Sequence, residues 1–329
     1  MEPSPPGPVV VVGGANMDVK AQTGSAPILG TSNPGTQGWT PGGVGRNIAE
    51  NLARLGQRVE LVAAVGDDPV GRDVVERTRQ AGVGVGHVLG SAHPTGVYVA
   101  VLDDAGELVI GVSDMAATDE LTVAAVAVER DLVAGARLLV VDGNLPEPVV
   151  GWLLDVAAET GVPVVIDPVS VPKAAHLRTT LTTDRPVLAL TPNLDELAAV
   201  VGRALTGEDD VLAAVEELHL RGVRQVWVRR GPSGSLFSER TGPDMAPVAL
   251  ALPAPVVEVA DVTGGGDAMT AGFIHHYLEH GVGADAARFG QMTAALTVEV
   301  AETVRPDLTT ALVDARLAAT GPTQEALAP

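Results

Sequence analysis

The sequence predicts an α/β protein with a mostly parallel central sheet, helices on both faces of that sheet, and a small β lid. Short, wholly apolar runs such as Val9-Val10-Val11-Val12 are typical of strands that are buried on both faces. These runs alternate along the chain with segments of helical periodicity, which indicates a parallel sheet. Asp103-Asp104-Ala105-Gly106 separates two strand-like runs, 95–102 and 107–113, and predicts a hairpin beside the main sheet.

The individual elements follow this alternation along the chain. Strands are predicted at residues 9–12, 59–65, 138–141, 162–166, 187–190, 225–228 and 256–259. Helices are predicted at residues 46–55, 69–81, 123–134, 147–160, 194–201, 209–221 and 267–280. We expect one domain over residues 8–318, with lid segments at about 16–41 and 95–115 and flexible tails at 1–7 and 319–329.

The composition excludes several classes of function. The formal net charge of −20 argues against nucleic-acid and anionic-membrane partners, and an aromatic content of 2% argues against a base-stacking surface. Zero cysteines exclude disulfides, thiolate metal sites and cysteine nucleophiles. No apolar run approaches the roughly 18 residues of a membrane helix, and the first residues lack the pattern of a secretory signal. We therefore expect a cytoplasmic protein that binds small molecules.

A glycine-rich loop at the start of a helix is the strongest candidate for chemistry. Gly264, Gly265 and Gly266 precede Asp267 and a helical pattern that stops at Gly281. The free N–H groups of a helix N-terminus bind anions, and glycines let a phosphate approach the backbone. A carboxylate would repel an anion held there, but it suits a base that takes a proton from a hydroxyl attacking phosphorus. The alternative is a glycine-rich turn with an Asp cap.

Two polar residues and two glycines near the N-terminus are candidates for binding a substrate. Asn16 and Asp18 follow the first strand at a spacing of two, so their side chains face the same way. They suit two sugar hydroxyls beyond the carboxyl end of a strand, or they form an Asx-turn. Gly42 and Gly43 precede a helix and suit a hinge, a contact between backbone and substrate hydroxyl, or simply a tight loop.

Two later segments follow strands and suit a nucleotide with its metal ion. Asn193 and Glu196 lie three residues apart at the start of a helix, so they share a face. They can hold a hydrated Mg²⁺, or they can form an N-cap with a capping-box Glu. The turn that contains Arg229, Gly231 and Gly234 offers backbone N–H groups and a positive charge to the phosphates of ATP.

Two segments resemble the signatures of the ribokinase-like (carbohydrate kinase) family. They are Asp261-Val262-Thr263-Gly264-Gly265-Gly266-Asp267, where the family usually has Ala in place of Gly265, and Gly42-Gly43-Val44-Gly45-Arg46-Asn47-Ile48-Ala49. The resemblance spans roughly residues 9–316. It implies a ribokinase-like fold and transfer of the ATP γ-phosphoryl group to a sugar hydroxyl, with Mg²⁺ as the metal.

The resemblance also implies roles for individual residues. Asp267 is expected to be the general base, and the backbone N–H groups of Gly264, Gly265 and Gly266 the anion hole. The substrate-binding residues that it implies are Asn16, Asp18, Gly42, Gly43, Asn47 and Asn144. The implied ATP-binding residues are Asn193, Glu196, Arg229, Gly231, Gly234 and Thr263, with Asn193 and Glu196 holding Mg²⁺ through water. Asp261 is expected near a site for a monovalent cation such as K⁺, with carbonyl groups of residues 298–303 as partners, or it is an Asp at a strand end with a structural role.

Within the family, the resemblance is closest to members that phosphorylate the ribose 5′-hydroxyl of pseudouridine. Stretches that carry it include Ser32-Asn33-Pro34-Gly35, Ser113-Asp114-Met115 and Ile166-Asp167-Pro168-Val169-Ser170. Asp114 is the candidate acceptor for the ring N–H that pseudouridine has and uridine lacks, or it is a hairpin-end Asp that makes a turn. Relatives suggest a homodimer formed through the lid. The alternatives are a kinase for another nucleoside or sugar, and a catalytically silent ligand-binding protein on the same fold.

Overall fold

The computed structural model describes residues 7–242, 244–320 and the strand at 325–326. Its strands are β1 (Val9–Val12), β2 (Asn16–Thr23), β3 (Gly35–Gly42), β4 (Val59–Gly66), β5 (Gly84–Ser91), β6 (Val97–Leu102), β7 (Leu108–Asp114), β8 (Leu138–Asp142), β9 (Val164–Asp167), β10 (Val187–Leu190), β11 (Val223–Arg229), β12 (Ser235–Glu239), β13 (Val248–Leu252) and β14 (Glu325–Ala326). Its α-helices are α1 (Val44–Arg54), α2 (Pro69–Gln80), α3 (Ala116–Asp119), α4 (Val123–Val126), α5 (Arg130–Ala134), α6 (Glu147–Thr160), α7 (Val171–Ala174), α8 (Leu177–Thr180), α9 (Leu194–Val201), α10 (Glu208–Leu220), α11 (Gly265–His280), α12 (Gly283–Val298) and α13 (Thr310–Thr320).

The strand order of the main sheet brings several candidate loops to one edge. In the described part of the chain the order is β14-β13-β12-β11-β10-β9-β8-β1-β4-β5. The strands from β5 through β11 in this order are parallel, and β12, β13 and β14 continue antiparallel. Strand β1 pairs with both β4 and β8, so the order of connection reverses there. Ligands of open α/β sheets bind at such a reversal, beyond the carboxyl ends of the strands.

The apolar core lies in two layers, one on each face of the main sheet. Val10 and Val12 of β1 belong to a layer that includes side chains of α6, α9 and α10. Val9 and Val11 belong to the other layer, which includes side chains of α1, α11 and α12. Because successive side chains of a strand point to opposite faces, β1 must be apolar throughout. The predicted class, a mostly parallel sheet with helices on both faces, is confirmed.

A separate four-stranded sheet, in the order β3-β2-β6-β7, forms the lid. Strands β6 and β7 are the predicted hairpin and pair antiparallel. Strand β2 pairs in parallel with β6 and antiparallel with β3. Only Gly13, Gly14 and Ala15 separate β1 from β2, so the lid continues directly from β1 of the main sheet. Every residue of β7 is exposed, and this strand is an edge of the lid sheet.

The structure differs from the sequence prediction at several elements. The strand predicted at 256–259 is wrong: Pro253 and Pro255 lack the N–H groups that a ladder needs, Val256 is fully exposed, and the last long strand, β13, ends before them. The helix predicted at 123–134 is divided into α4, a 3₁₀ turn and α5. Strands β2, β3 and β5 were not predicted as strands because their glycine and polar residues obscure the apolar alternation.

The predicted tails fall partly outside the structure. Helix α13 continues to Thr320, and β14 pairs with β13 at the edge of the main sheet, within the segment expected to be a C-terminal tail. Residues 1–6, 321–324 and 327–329 of the predicted tails lie outside the described residues. Among the helices that are described, none has the length and apolar character required to cross a membrane.

Candidate active site

Asp267 lies in the first turn of α11, at the centre of the candidate site. Its Oδ2 accepts a hydrogen bond of 2.8 Å from Nδ2 of Asn47 in α1, and the residue is 9% exposed. Burial, followed by the negative charge of Asp167, raises the pKa of Asp267 well above its ordinary value. The hydrogen bond from Asn47 and the charge of Arg229 act in the opposite direction. A carboxylate with a raised pKa is a stronger proton acceptor than an exposed one.

The three glycines before Asp267 have different surroundings. Gly264 adopts φ +78°, and a side chain there would meet the carbonyl oxygen of Thr303. A Cβ at Gly266 would lie 2.5 Å from Nη1 of Arg229, so the missing side chain lets the guanidinium approach the backbone. A Cβ at Gly265 would lie 3.0 Å from Cγ1 of Val298. The loop therefore combines backbone N–H groups with a positive charge beside them.

Arg229, at the end of β11, is fixed in place by two buried carboxylates. Its Nη1 lies 3.2 Å from Oδ2 of Asp167, and its Nη2 lies 3.1 Å from Oε2 of Glu196. Burial tends to lower the pKa of Arg229, but the charges of Asp167 and Glu196 outweigh it, and the pKa is raised. The guanidinium therefore stays charged. Asp167 also accepts a hydrogen bond of 3.1 Å from the hydroxyl of Thr270 in α11.

Asp142, at the end of β8, holds the glycine turns on which the substrate side of the site is built. Its Oδ2 accepts hydrogen bonds from the backbone N–H groups of Gly14 at 2.8 Å and Gly45 at 2.9 Å. Gly43 has φ +96° and packs against the carbonyl of Gly14, an approach that a side chain would prevent. Burial raises the pKa of Asp142 to about 6, although three backbone N–H groups oppose the shift.

Asp142 and Asp167 were not identified as site residues from the sequence. The signal that could have found them is a carboxylate at the very end of an apolar strand. Asp142 ends β8, Asp167 ends β9, and the two residues lie opposite each other on these neighbouring strands. Arg46 was also missed. It donates hydrogen bonds of 2.7 Å to the side chain of Asn47 and to the carbonyl of Pro41, and so orients the amide that reaches Asp267.

Asn16 and Asp18 share a face of β2, as predicted from their spacing. Nδ2 of Asn16 donates a hydrogen bond of 2.7 Å to Oδ1 of Asp18. The carboxylate of Asp18 lies where a side chain at Gly42 would be, and burial raises its pKa. Asn144 follows β8 and lies close to Gly14, since a Cβ on Gly14 would be 3.8 Å from Nδ2 of Asn144. Asn16, Asp18 and Asn144 thus form a polar wall at the carboxyl end of β1.

Asn193 and Glu196 form the capping box that was one of the two predicted alternatives. The side chain of Asn193 accepts from the backbone N–H of Glu196, and Oε2 of Glu196 accepts from that of Asn193, both at 2.9 Å. Burial raises the pKa of Glu196 above its ordinary value, against the charge of Arg229. No cluster of three or more acidic, His or Cys ligands occurs in the residues described, so a metal bound here would depend on water ligands.

The turn after β11 leads to a cleft of about 450 Å³. Gly231 and Gly234 flank a short 3₁₀ turn; Gly231 faces open space, while Gly234, at φ +87°, packs against the carbonyl of Leu252. The cleft lies between the end of β13 and helices α12 and α13, with Leu252, Gln291 and Met292 in its lining. In the strand register, Arg229 of β11 lies opposite Ser235 of β12, and Ser235 lies opposite Leu252 of β13. The cleft therefore begins about 10 Å, or two strand spacings, from the backbone of Arg229.

Asp114 is the predicted site residue that the structure leaves apart from the others. Its side chain is exposed and accepts a hydrogen bond of 3.3 Å from the backbone N–H of Ala116, which is the turn interpretation. Its backbone carbonyl and the Cβ of Asn16 both lie near Gly96. The residue thus belongs to the same end of the lid as Asn16, but no contact between their side chains is found in the described residues.

Asp261 and Thr263 form a compact turn directly before the glycine loop. Oδ1 of Asp261 accepts from the backbone N–H of Thr263 at 2.8 Å and from its hydroxyl at 2.6 Å. The predicted neighbouring segment, 298–303, does lie beside this turn: the carbonyl of Val298 accepts from the N–H of Ala260 at 2.8 Å. Lys20 of the lid strand β2 forms an ion pair with Asp261, a contact that the sequence did not predict.

Comparisons with known proteins identify the family of the chain. Residues 8–311 match the model of the pfkB family carbohydrate kinases. The chain is 34% identical over 308 residues to a pseudouridine kinase of Escherichia coli, covering 93% of this chain and 95% of that protein.

Two solved structures extend the likeness to the fold. A carbohydrate kinase from Agrobacterium tumefaciens superposes with a TM-score of 0.82 at 30% identity, over 98% of this chain and 100% of that one. A ribokinase of Arabidopsis thaliana, solved with ribose and ATP, has a TM-score of 0.80 at 24% identity, over 95% and 98% of the two chains. With the fold confirmed as ribokinase-like and nearly the whole chain matched, the protein belongs to the pfkB family of carbohydrate kinases and is a phosphotransferase with an alcohol acceptor.

Proposed function

We propose that this kinase transfers the γ-phosphoryl group of ATP to the ribose 5′-hydroxyl of pseudouridine. The observation that carries the proposal is the position of Asp267, which joins the glycine loop and Arg229 on one side to Asn47 and the polar wall around β1 on the other. A base between a site for sugar hydroxyls and a site for phosphates is what phosphoryl transfer to a sugar needs. The similarity to the E. coli pseudouridine kinase supports this choice of acceptor.

In the proposed mechanism Asp267 takes the proton of the 5′-hydroxyl as the oxygen attacks phosphorus. Asn47 donates to one carboxylate oxygen and so leaves the other free to face the substrate. The N–H group of Gly266 and the guanidinium of Arg229 stabilise the charge that develops on the transferred group, while the N–H of Gly265 donates to the carbonyl of Val262 at 3.2 Å. Asn16 and Asp18 hold the ribose hydroxyls and keep the 5′-oxygen in line.

The ATP site is proposed along the path from Gly266 to the cleft beside β13. The cleft volume of about 450 Å³ suits an adenine ring with its ribose, and Gly231, in the turn after β11, faces open space. Glu196 uses Oε2 for its contacts with Asn193 and Arg229, which leaves Oε1 for a water ligand of Mg²⁺. When bound, Mg²⁺ would neutralise charge on the ATP phosphates.

We propose that Asp114 recognises the nucleobase of the acceptor. Pseudouridine keeps two ring N–H donors, whereas uridine has one, so an acceptor placed at the second donor would favour pseudouridine. Asp114 lies at the end of a lid strand near Asn16, and its carboxylate is exposed. The lid is also the proposed surface for a homodimer, because in the described part of the chain β7 is an edge of the lid sheet with exposed apolar side chains.

The test is ADP release with ATP and Mg²⁺ in the presence of pseudouridine, uridine, adenosine or ribose at equal concentrations, with Asp267→Asn as the blank. We expect turnover on pseudouridine far above the others, and loss of that preference in Asp114→Ala. Faster turnover on another acceptor would reject pseudouridine but keep the kinase. No turnover on any acceptor by a folded protein would favour a ligand-binding role.

A further inference from the structure

The lid carries a positive charge that reaches the loop in front of the anion hole. Asn16, Asp18 and Lys20 alternate along β2, so Lys20 faces the same side as the two candidate sugar ligands. Its Nζ forms an ion pair with Oδ2 of Asp261 and lies 3.2 Å from the hydroxyl oxygen of Thr263. The side chains of Lys20 and Asp261 are 34% and 25% exposed, so the pair is partly shielded from water.

This contact is one of few that fix the loop. Residues 253–264 contain no helix or strand, and Val256 and Val262 of this segment are exposed. On the side of α12, the carbonyl of Val298 accepts backbone hydrogen bonds from Ala260 and Asp261. On the side of the lid, the contact is Lys20. Because Thr263 directly precedes Gly264, any shift of the turn is passed on to the anion hole.

The residues present do not fit the monovalent cation that the family resemblance led us to expect at Asp261. Both oxygens of that carboxylate are in use, Oδ1 by Thr263 and Oδ2 by Lys20. A further cation would meet the like charge of the ammonium group. The chain has two lysines, Lys20 and Lys173, and all its other basic residues among 21 are arginines. An ammonium group is a compact point charge, closer to an alkali-metal ion than a planar guanidinium is.

We propose that Lys20 replaces the monovalent cation at this loop and is a positioning residue that couples lid closure to the order of the anion hole. The inference rests on the proposed phosphoryl transfer. When the lid is closed, the ammonium group holds Asp261 and Thr263 in the arrangement that aims the N–H group of Gly266, with the N–H of Gly265 bonded to the carbonyl of Val262. When the lid opens, the charge leaves with β2 and the loop loses that restraint. The enzyme therefore needs no added K⁺ to order this loop.

The activity test compares the wild type with Lys20→Met in KCl and in choline chloride at equal ionic strength. The wild-type rate should be the same in both salts. In choline the variant should be slower by about tenfold or more, and KCl should restore it in a saturable way. Arg130→Met, which removes an exposed ion pair with Glu159 elsewhere, should match the wild type in both salts. The double variant Lys20→Met, Asp261→Asn should be slow and not respond to K⁺.

Three results would overturn the inference: a wild type that K⁺ activates, a Lys20→Met enzyme as fast as wild type in choline, or a slow variant that K⁺ does not restore. The last, with a raised KM for ATP, would make Lys20 a phosphate ligand instead. Thermal unfolding without any acceptor gives an independent reading. Lys20→Met should melt at a higher temperature in KCl than in choline chloride, and the wild type should not. Equal melting temperatures for the variant in the two salts would also reject the inference, even if the acceptor has been misassigned.

Discussion

At the scale of single residues, Asp267 is in a state that favours catalysis over stability. Its carboxyl group is buried, and Asp167 adds a like charge nearby, so ionisation is unfavourable in the folded protein. Natural active sites often retain such groups because the chemistry requires them. Replacing the charge with an amide of the same shape should therefore have opposite effects on rate and on stability.

We predict that Asp267→Asn lowers kcat by about 10²–10⁴-fold, because the amide cannot accept the proton. The same change should raise the free energy of unfolding, and the gain should grow with pH. The sign follows from the pKa: it is raised above the unfolded value of 3.8, so stability linked to Asp267 is present below that value and is lost as pH rises through the folded pKa. Urea titrations at pH 5 and pH 8 check it. A variant less stable than wild type at pH 8 would contradict the prediction.

The glycine loop offers a second comparison, between neighbouring positions. Gly265→Ala should reduce the rate by less than about tenfold, because Val298 needs to move by only a few tenths of an ångström. Gly266→Ala should reduce it on the order of 10²-fold, because its Cβ would displace Nη1 of Arg229. Steady-state kinetics distinguish the two variants. A melting temperature equal to that of the wild type checks that each variant is folded. If Gly265→Ala were the more harmful change, the guanidinium would not belong to the anion hole.

The sequence identified those candidate site residues that belong to a motif of neighbouring positions in the chain. Asp267 after three glycines and the Asn193–Glu196 pair at a helix start are visible in a few consecutive letters. Asp142, Asp167 and Lys20 are not, because their partners lie far away in the chain: Gly14 is 128 residues from Asp142, and Asp261 is 241 residues from Lys20. Contacts across such separations depend on the topology of the whole sheet, which no single segment encodes.

At the scale of elements, the site depends on ion pairs that join the ends of two strands to the start of a helix. Arg229 ends β11, Asp167 ends β9, and Glu196 lies in the first turn of α9. Their ion pairs join three elements at the edge where ligands bind. Both carboxylates are almost fully buried, so neither can be left without its cation at little cost.

We predict that Arg229→Met lowers the free energy of unfolding by about 3 kcal/mol, because it leaves two buried carboxylates without a cation. The rate should fall by about 10²-fold or more for lack of the positive charge beside Gly266. The matched control is Arg224→Met on the same strand, whose pair with Glu239 is partly exposed and should contribute about 1 kcal/mol or less. Equilibrium denaturation of both variants tests this. Equal losses of stability would show that the buried pairs add nothing.

At the scale of the whole molecule, the middle strands of the main sheet were predictable, whereas β5, β12 and β13 of that sheet and two of the four lid strands were not. Strands β1 and β10 and helices α6 and α9 were predicted with their observed bounds because burial on both faces leaves clear apolar runs. Strands β2 and β3, the lid strands that were not predicted, mix exposed and buried positions, and β3 contains three glycines, so their sequences lack a clear period.

The exposed edge of the lid allows the proposed homodimer to be tested. Leu108, Ile110 and Val112 of β7 are 55–57% exposed, which is unusual for an edge strand in a monomer. We predict that the wild type sediments as a dimer and that Ile110→Lys sediments as a monomer, because a charge on the edge opposes pairing between lids. The melting temperature of the isolated chain should hardly change, since the side chain is exposed. Val128→Lys, at a site that is 80% exposed and outside the lid, should remain a dimer. A monomeric wild type, or an Ile110→Lys variant that still dimerises, would mean that this edge serves another purpose.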